Sequence, residues 1–271
     1  GKEYVGICPF HDDSKPSMTV SPSKQFYYCF SCGAGGNSIK FLMEFTRNNF
    51  SDVVLSLARK NDINIVTVDS NQQENYKKQL SKREELFKIL RETKNWFKTQ
   101  LNSALGNNAY NYLINYRKLS KNIIEDFELG FAPNSWTSLY EYLLNVKGFS
   151  YEAILNAGLI ISKDNKNKIF DRFRNRLMVP IYDSQSRVVG FTGRTLDGSN
   201  PKYLNSPETD VFEKGKILYG FDKASSNIRK KDLAIVVEGN FDVISLHAKG
   251  IKNCVAAQGS SLSKYQISQL C

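Results

Sequence analysis

Two short pairs of potential metal ligands lie near the start of the chain. Cys8 and His11 form a C-x-x-H pair, and Cys29 and Cys32 form a C-x-x-C pair. Three thiolates and one imidazole suit a tetrahedral Zn²⁺ ion, and four protein ligands leave no open coordination position. Since one tight turn can bring both members of a pair to one metal, the spacing predicts a structural zinc site.

The overall cysteine and histidine usage favours this interpretation over disulfide bonds. The chain contains five cysteines and two histidines, and four of these seven residues form the pattern. Disulfides would leave His11 without a purpose. Cys254 and Cys271, the cysteines outside the pattern, are few, which fits a reducing compartment.

The bulk composition suggests a basic protein of two or three domains. The 271 residues carry 37 Lys and Arg against 27 Asp and Glu, a formal net charge of +10. That balance favours a polyanionic partner such as nucleic acid or nucleotides, the alternative being a merely basic soluble protein. No run of eighteen apolar residues and no signal peptide occur, so we expect no membrane partner. Because the chain starts at Gly1 rather than Met, we expect a fragment.

Patterning along the chain changes from helical to β-like. Residues 17–31 read as a β-hairpin, followed by a helix with Asn37 as its N-cap and a second helix capped by Ser51. A polar linker then runs into a helical region that extends from Glu84. Its helices are predicted at 84–105, 107–117, 120–128, 136–146 and 150–157.

The last hundred residues read as strands and helices in alternation. Residues 176–194 alternate around Asp183 and predict a hairpin. LAIVVEG (233–239) reads as a buried apolar strand, followed by a helix closed by Gly250, a second buried strand and another helix. This order predicts a parallel α/β unit.

Several residues are candidates for binding or catalysis. Glu238 ends the apolar strand, where ligands of parallel sheets bind, so it can hold Mg²⁺ or transfer protons; a surface glutamate is the commoner case. In the zinc hairpin, Tyr28 can stack on unpaired bases or pack internally, and Lys24 can contact phosphates. Residues 194–219 form a polar stretch that can cradle phosphates or remain a solvated loop. Its cations include Arg194, Lys202 and Lys214.

Five segments, taken in order, resemble the bacterial DnaG-type DNA primases over nearly the whole chain. They are CPFH with CFSCGAGG, NYRKLS with ELGFAP, RNRLMVPIYDSQSRVVGFTGR, PKYLNSPETDVFEKGKILYG and VVEGNFDVISLHAKG. The resemblance implies an α+β multidomain fold, with a small antiparallel zinc ribbon and helices before a mixed α/β core and the start of a Toprim parallel sheet. The implied units are a CHC2 zinc domain (1–65), a linker (66–82), the N-terminal subdomain of the polymerase core (83–230) and a truncated Toprim subdomain (231–271).

The resemblance also implies an activity, the synthesis of RNA primers on single-stranded DNA. Cys8, His11, Cys29 and Cys32 would hold structural Zn²⁺, and Glu238 would help hold catalytic Mg²⁺. Glu238, Lys202 and Lys214 would act in catalysis. Template, nucleotide or primer would be bound by Arg117, Arg194, Lys202 and Lys214. The residues of the zinc hairpin add Lys24 and Tyr28 as candidates for binding nucleic acid.

The implied partners are single-stranded DNA, ribonucleoside triphosphates, the RNA primer and a replicative helicase, the last through a C-terminal domain absent here. The implied location is the bacterial cytoplasm, at the nucleoid or replisome, with an organellar source left open.

Three departures from the family pattern stand out. Lys118 replaces the usual glycine, Asn240-Phe241 replaces the usual Tyr-Met, and the family's downstream Asp-x-Asp pair is absent. We therefore expect this chain to bind zinc and DNA, while its ability to polymerise alone stays open.

Two further interpretations belong to other classes of protein. Recombination mediators of the RecR type also join a zinc module to a Toprim fold and bind DNA without catalysis. They use four cysteines and a short connection, whereas this chain has His11 and a long insert before Glu238. A zinc-ribbon DNA-binding module on an inert scaffold is the third interpretation, and it predicts no effect of Glu238→Gln.

Overall fold

A computed structural model describes residues 3–270, apart from 47–49, 62, 64–69, 164–167 and 260, and only the backbone of 59 and 70–77. The strands are β1 (Tyr4–Gly6), β2 (Met18–Ser21), β3 (Phe26–Cys29), β4 (Gly35–Gly36), β5 (Gly130–Ala132), β6 (Ile160–Lys163), β7 (Lys168–Asp171), β8 (Arg176–Tyr182), β9 (Val188–Thr195), β10 (Tyr203–Asn205), β11 (Leu218–Tyr219), β12 (Ile235–Val237) and β13 (Cys254–Ala257). The helices are α1 (Ser38–Thr46), α2 (Phe50–Lys60), α3 (Ser70–Leu101), α4 (Asn107–Asn111), α5 (Lys121–Asp126), α6 (Ser138–Glu141), α7 (Tyr151–Asn156), α8 (Phe221–Lys231), α9 (Asn240–Ala248) and α10 (Lys264–Leu270). Wider π-helical turns extend α4 over Tyr112–Tyr116 and α6 over Tyr142–Val146.

The N-terminal module is a four-stranded antiparallel sheet in the order β1-β2-β3-β4, followed by α1 and α2. The predicted hairpin is confirmed as β2 and β3. Asn37 caps α1 as predicted, because its Oδ1 accepts a hydrogen bond of 2.9 Å from the N–H of Lys40. The prediction that Ser51 caps the second helix is wrong, since α2 already includes Phe50.

The long helix α3 connects this module to the rest of the chain. It begins at Ser70, earlier than the predicted Glu84, so residues 70–82 of the expected linker are helical, while 66–69 lie outside the described residues. That stretch contains no Gly or Pro to stop a helix, and Gln, Glu and Lys are good helix formers. The apolar side of α3 is buried, as the periodicity predicted; its fully buried members are Ile89, Leu90, Phe97 and Leu101.

A second antiparallel sheet, in the order β10-β9-β8-β5, lies against α3. The predicted hairpin around Asp183 is confirmed as β8 and β9, and Asp183 Oδ1 accepts the N–H groups of Gln185 and Arg187 at 2.9 Å each. Strand β5 was not predicted. It brings Gly130 so close to α3 that an added Cβ would lie 2.5 Å from the Cβ of Phe97.

The C-terminal unit confirms the predicted strand–helix–strand order. Strand β12 pairs with β13 in parallel, α9 connects them, and β11 adds to β13 in antiparallel fashion. Strand β13 is buried, but β12 lies at the edge of this sheet among the described residues, and Val236 is 42% exposed. The prediction that the strand within 233–239 is fully buried is therefore wrong, because β12 is partly exposed.

Several strands and one helix were not predicted from the sequence. The hairpin of β6 and β7, the strands β10 and β11, and the helix α8 all lie in stretches that we treated as connections. Four strands of two to four residues are too short for alternation to stand out.

The N-terminal module rests on α8. The guanidinium of Arg229 donates a hydrogen bond of 3.3 Å to the carbonyl of Pro9 and lies 5.8 Å from the ring centroid of Phe45. Among the described helices, none is both long enough and apolar enough to span a membrane.

Candidate functional site

The four predicted metal ligands come together at one end of the N-terminal sheet. Their ligand atoms all lie within 4.8 Å of one another. The sulfurs of Cys8 and Cys32 are 3.9 Å apart, and the sulfur of Cys29 lies 3.9 Å from Nδ1 of His11. Tetrahedral zinc with Zn–S bonds of about 2.3 Å places two sulfurs about 3.8 Å apart. The donor set and its spacing therefore fit a structural zinc ion.

Asp13 holds this cluster in place and was missed by the sequence analysis. Its Oδ2 accepts hydrogen bonds from the N–H of Cys8 at 2.8 Å and from the hydroxyl of Ser17 at 2.6 Å. Its Oδ1 lies 3.7 Å from Nε2 of His11. A carboxylate on the outer nitrogen of a ligand histidine orients the ring toward the metal.

The aromatic residues of the hairpin divide between packing and exposure. Tyr27 is buried, packs against the rings of Phe10 and Phe41, and donates its hydroxyl to Glu44 at 2.7 Å. Tyr28 is 38% exposed and its ring lies 5.1 Å from that of Phe30, which is 76% exposed. Period-2 alternation along β3 therefore places Tyr28 on the outer face of the sheet.

Lys24, which we predicted to contact phosphates, is also exposed to solvent. The side chain of Lys24 is 75% exposed, and its Nζ is 3.9 Å from a carboxylate oxygen of Glu3. An ion pair this exposed contributes little and can exchange for a phosphate.

A cleft of about 360 Å³ opens where β9 and β10 meet the C-terminal ends of β12 and β13. Glu238 follows β12 directly and lines this cleft, as expected for the carboxyl end of a parallel strand. The next residue, Gly239, is the N-cap of α9, and its N–H donates a hydrogen bond of 3.0 Å to Oδ2 of Asp242. Arg117 lines the same cleft, so the structure brings two of the predicted site residues together.

Aromatic rings hold the two predicted arginines beside this cleft. The guanidinium carbons of Arg117 and Arg194 lie 4.8 and 5.6 Å from the ring centroid of Phe241. They lie 5.6 and 5.4 Å from the ring of Tyr112, whose hydroxyl accepts a 2.8 Å hydrogen bond from Nε of Arg117. The hydroxyl of Tyr203 accepts a hydrogen bond from Arg194. Two positive charges are thus fixed within reach of one ligand.

Two departures from the family pattern find a physical explanation here. Phe241, in place of methionine, supplies the ring over which both guanidinium groups lie. Lys118 has φ of +56°, the left-handed conformation that favours the glycine usual at this position.

The two predicted lysines lie elsewhere. Lys202 precedes β10, and its carbonyl accepts the N–H of Thr195 at 3.1 Å. Lys214 begins a short 3₁₀ turn, and its N–H donates 3.3 Å to a carboxylate oxygen of Glu208. Among the described residues, the lining of the cleft includes neither lysine.

Most of the polar residues that line the cleft were not predicted from the sequence. They include Thr192, Asn205 and Gln258, which come from β9, β10 and the loop after β13. The segment PKYLNSP carries Tyr203 and Asn205 in alternation, which is the signal that could have placed both on one face of a strand.

A larger groove of about 1080 Å³ adjoins the arginine pair through their shared neighbour Tyr112. Its lining is rich in side-chain amides and aromatic rings. These residues are Gln100, Asn108, Asn111, Asn115, Asn134, Asn175, Trp96, Tyr112 and Tyr116. Amides and rings of this kind can hydrogen-bond and stack with unpaired bases.

Three family models match consecutive parts of the chain. Residues 1–74 match the CHC2 zinc finger, residues 96–225 match the N-terminal domain of the DNA primase catalytic core, and residues 232–270 match the Toprim domain.

Curated relatives match over the full length of this chain but extend well beyond it. A DNA primase of Synechococcus elongatus is 52% identical over 270 residues, which are 100% of this chain and 39% of the relative. A DNA primase of Pseudomonas aeruginosa is 40% identical over 270 residues, which are 100% of this chain and 40% of the relative. The chain thus spans about two fifths of the length of these relatives.

Solved structures agree with the family models. The zinc-binding and RNA polymerase domains of the Aquifex aeolicus primase match at a TM-score of 0.62 and 33% identity, over 100% of this chain and 63% of that one. A DnaG primase catalytic domain bound to single-stranded DNA matches at a TM-score of 0.64 and 36% identity, over 70% of this chain and 59% of that one.

Proposed function

Because this chain belongs to the bacterial DnaG-type DNA primases, we propose that it forms the template-binding and nucleotide-binding part of an enzyme that synthesises RNA primers. The main support for the proposal is that Glu238 and Arg117 line the same cleft, and that Arg194 lies beside it. A carboxylate and restrained guanidinium groups at one cleft suit the transfer of a nucleotide, which needs both a metal ligand and phosphate-binding cations.

Glu238 is proposed as a ligand of catalytic Mg²⁺. It is an exposed carboxylate at the end of a parallel strand, and Mg²⁺ prefers oxygen ligands of this kind. When bound, the metal would activate a ribose 3′-hydroxyl and stabilise the departing pyrophosphate. The side chain of Glu238 would hold that ion in the cleft rather than act on the nucleotide directly.

Arg117 and Arg194 are proposed to bind phosphates in the cleft. Their contacts with Tyr112 and Phe241 restrict both side chains before any ligand arrives, which lowers the entropic cost of binding. Lys202 and Lys214, which lie outside the cleft lining, are proposed to contact the backbone of template or primer farther out. Lys202→Ala should therefore lower the salt dependence of DNA binding by about one unit of slope.

The zinc module is proposed to place the single-stranded template. We assign Cys8, His11, Cys29 and Cys32 as the zinc ligands, on the strength of their spacing. Tyr28 would stack on an unpaired base and Lys24 would contact a phosphate. Binding of a replicative helicase stays a prediction from the resemblance.

The test is ribonucleotide primer synthesis on single-stranded DNA with Mg²⁺. It compares this chain with a protein extended to the length of its curated relatives. We expect template-dependent RNA products from the extended protein. Tight DNA binding without any RNA product from either protein would overturn the proposal and favour a non-catalytic mediator of the RecR type.

A further inference from the structure

A run of four polar side chains crosses the cleft from the Toprim unit to the sheet that contains β9 and β10. Nδ2 of Asn240 donates a hydrogen bond of 2.9 Å to Oγ1 of Thr192. The Thr192 hydroxyl in turn donates 2.8 Å to Oδ1 of Asn205. At the other end, Oδ1 of Asn240 accepts 3.3 Å from Nε2 of Gln258. We call the Asn240–Thr192–Asn205 part of this run the amide relay.

The number of protons on each group gives the relay a direction. The hydroxyl of Thr192 has one proton, so it can donate to Asn205 while it accepts from Asn240. Since Oδ1 of Asn205 is used as an acceptor, its Nδ2 group, a donor only, is left for an acceptor in the cleft. A reversed amide at Asn205 would place an acceptor there and repel phosphate and hydroxyl oxygens.

The backbone of Asn205 is held independently of this relay. It is the cross-strand partner of Thr192 in the β9–β10 ladder. Its carbonyl also accepts two hydrogen bonds from the guanidinium of Arg172, at 3.3 and 3.2 Å. With its backbone fixed, Asn205 can still rotate its side-chain amide. The hydrogen bond from Thr192 restricts that rotation.

We infer that Asn240 is a positioning residue, which acts through Thr192 to present the Asn205 N–H group to an oxygen atom of the incoming ribonucleotide. The inference rests on the proposed function. The inference explains why asparagine rather than the usual tyrosine occupies position 240. A tyrosine has no amide group, so it could not donate to Thr192 and accept from Gln258 at the same time. The relay also couples the Toprim unit to the nucleotide site, because Asn240 begins α9 two residues after Glu238.

The test is a double-mutant cycle in the protein extended to the length of its relatives, with Mg²⁺–ATP as the probe. Asn240→Leu keeps the approximate size of the side chain and removes its donor and acceptor without adding a charge, and Thr192→Val removes the hydroxyl. Each should raise the KM and Kd for ATP on the order of tenfold, the cost of one hydrogen bond to a charged group, with little change in kcat. Thr192→Ser restores the hydroxyl and should restore both constants.

The second arm asks whether Asn240 acts through Asn205. In an Asn205→Ala background, Asn240→Leu should change the Kd for ATP by less than about twofold, because the group that Asn240 positions is gone. As a matched control, Thr195→Val removes a hydroxyl from the same strand outside the cleft, and it should leave the Kd for ATP unchanged.

The outcomes separate this inference from the proposed function. An undiminished effect of Asn240→Leu in the Asn205→Ala background would overturn the relay, even in a protein that synthesises primers. The relay would also be overturned if the substitutions at positions 240 and 192 lowered thermal stability but left the Kd for ATP unchanged. Non-additive ATP binding in a protein that makes no primers would support the relay and contradict the primase activity.

Discussion

The stability of the core should depend on the half-buried carboxylate of Glu128, which lies in the turn after α5 and connects α3 with β8. Oε1 of Glu128 accepts hydrogen bonds from Nζ of Lys94 at 2.7 Å and of Lys98 at 3.2 Å, both from α3. Oε2 accepts a hydrogen bond from the hydroxyl of Tyr182 at the end of β8. The side chains of Glu128 and Lys94 are 27% and 13% exposed, so water cannot fully replace these contacts.

Glu128→Gln keeps the shape of the side chain but removes its charge. Charge-assisted hydrogen bonds contribute about 1.5–3 kcal/mol each, and breaking a fully buried pair costs about 3–5 kcal/mol. Because the cluster is partly exposed and glutamine keeps one acceptor, we expect a loss of about 2 kcal/mol in the free energy of unfolding. Urea unfolding at pH 7, followed by tryptophan fluorescence, measures it.

The pH dependence of this loss gives a second check. Burial by itself would raise the pKa of Glu128, but the hydrogen bonds from Lys94 and Tyr182 outweigh it and lower the pKa below the ordinary 4.5. A carboxyl with a lowered pKa adds stability above its unfolded pKa and loses that stability as the pH falls through its folded value. The difference between wild type and Glu128→Gln should therefore shrink below about pH 4.5.

Glu125→Gln is the matched control. Its side chain is 61% exposed, and its ion pair with Lys121 spans 3.8 Å, so the substitution should cost less than about 0.5 kcal/mol. Equal losses for Glu125→Gln and Glu128→Gln at pH 7 would refute the reasoning, as would a difference for Glu128→Gln that persists unchanged to pH 3.

Three further predictions concern other parts of the fold. Burial raises the pKa of Asp171 to about 6, so the contribution of this carboxyl to wild-type stability should fall by about 3 kcal/mol as the pH rises from 4 to 7. The difference in unfolding free energy between wild type and Asp171→Asn, measured by urea unfolding at each pH, should change by that amount. Gly130→Ala would place a methyl group 2.5 Å from the Cβ of Phe97, and we expect thermal unfolding to show a loss of about 3 kcal/mol. Arg229→Ala removes the hydrogen bond to the carbonyl of Pro9 and should speed amide hydrogen exchange in the zinc module without lowering the unfolding temperature of the core. Unchanged exchange would mean that this contact does not hold the module.

The zinc cluster was predictable because its information is local. Each ligand pair lies within one turn, and the hairpin of β2 and β3 that joins the pairs has its own turn signal. Asp13 was missed because carboxylates that support a metal ligand have no fixed spacing from it.

The cleft was predictable only in part, because it depends on contacts between distant segments. Strand position indicated Glu238, and the resemblance indicated Arg117 and Arg194, but no local pattern places Thr192 beside Asn240, 48 residues away. Strand β5 was missed for the same reason. Three residues show no alternation, and their burial comes from α3 and β8 rather than from their own period.

The most direct test of the account is primer synthesis by the extended protein carrying Glu238→Gln. The substitution keeps the size of the side chain and removes one carboxylate ligand from the cleft, and Glu125→Gln serves as the surface control. We predict that the control synthesises RNA at the wild-type rate, while Glu238→Gln loses at least a hundredfold in kcat and still binds single-stranded DNA. Wild-type synthesis by Glu238→Gln would contradict the assignment of this cleft as the catalytic site.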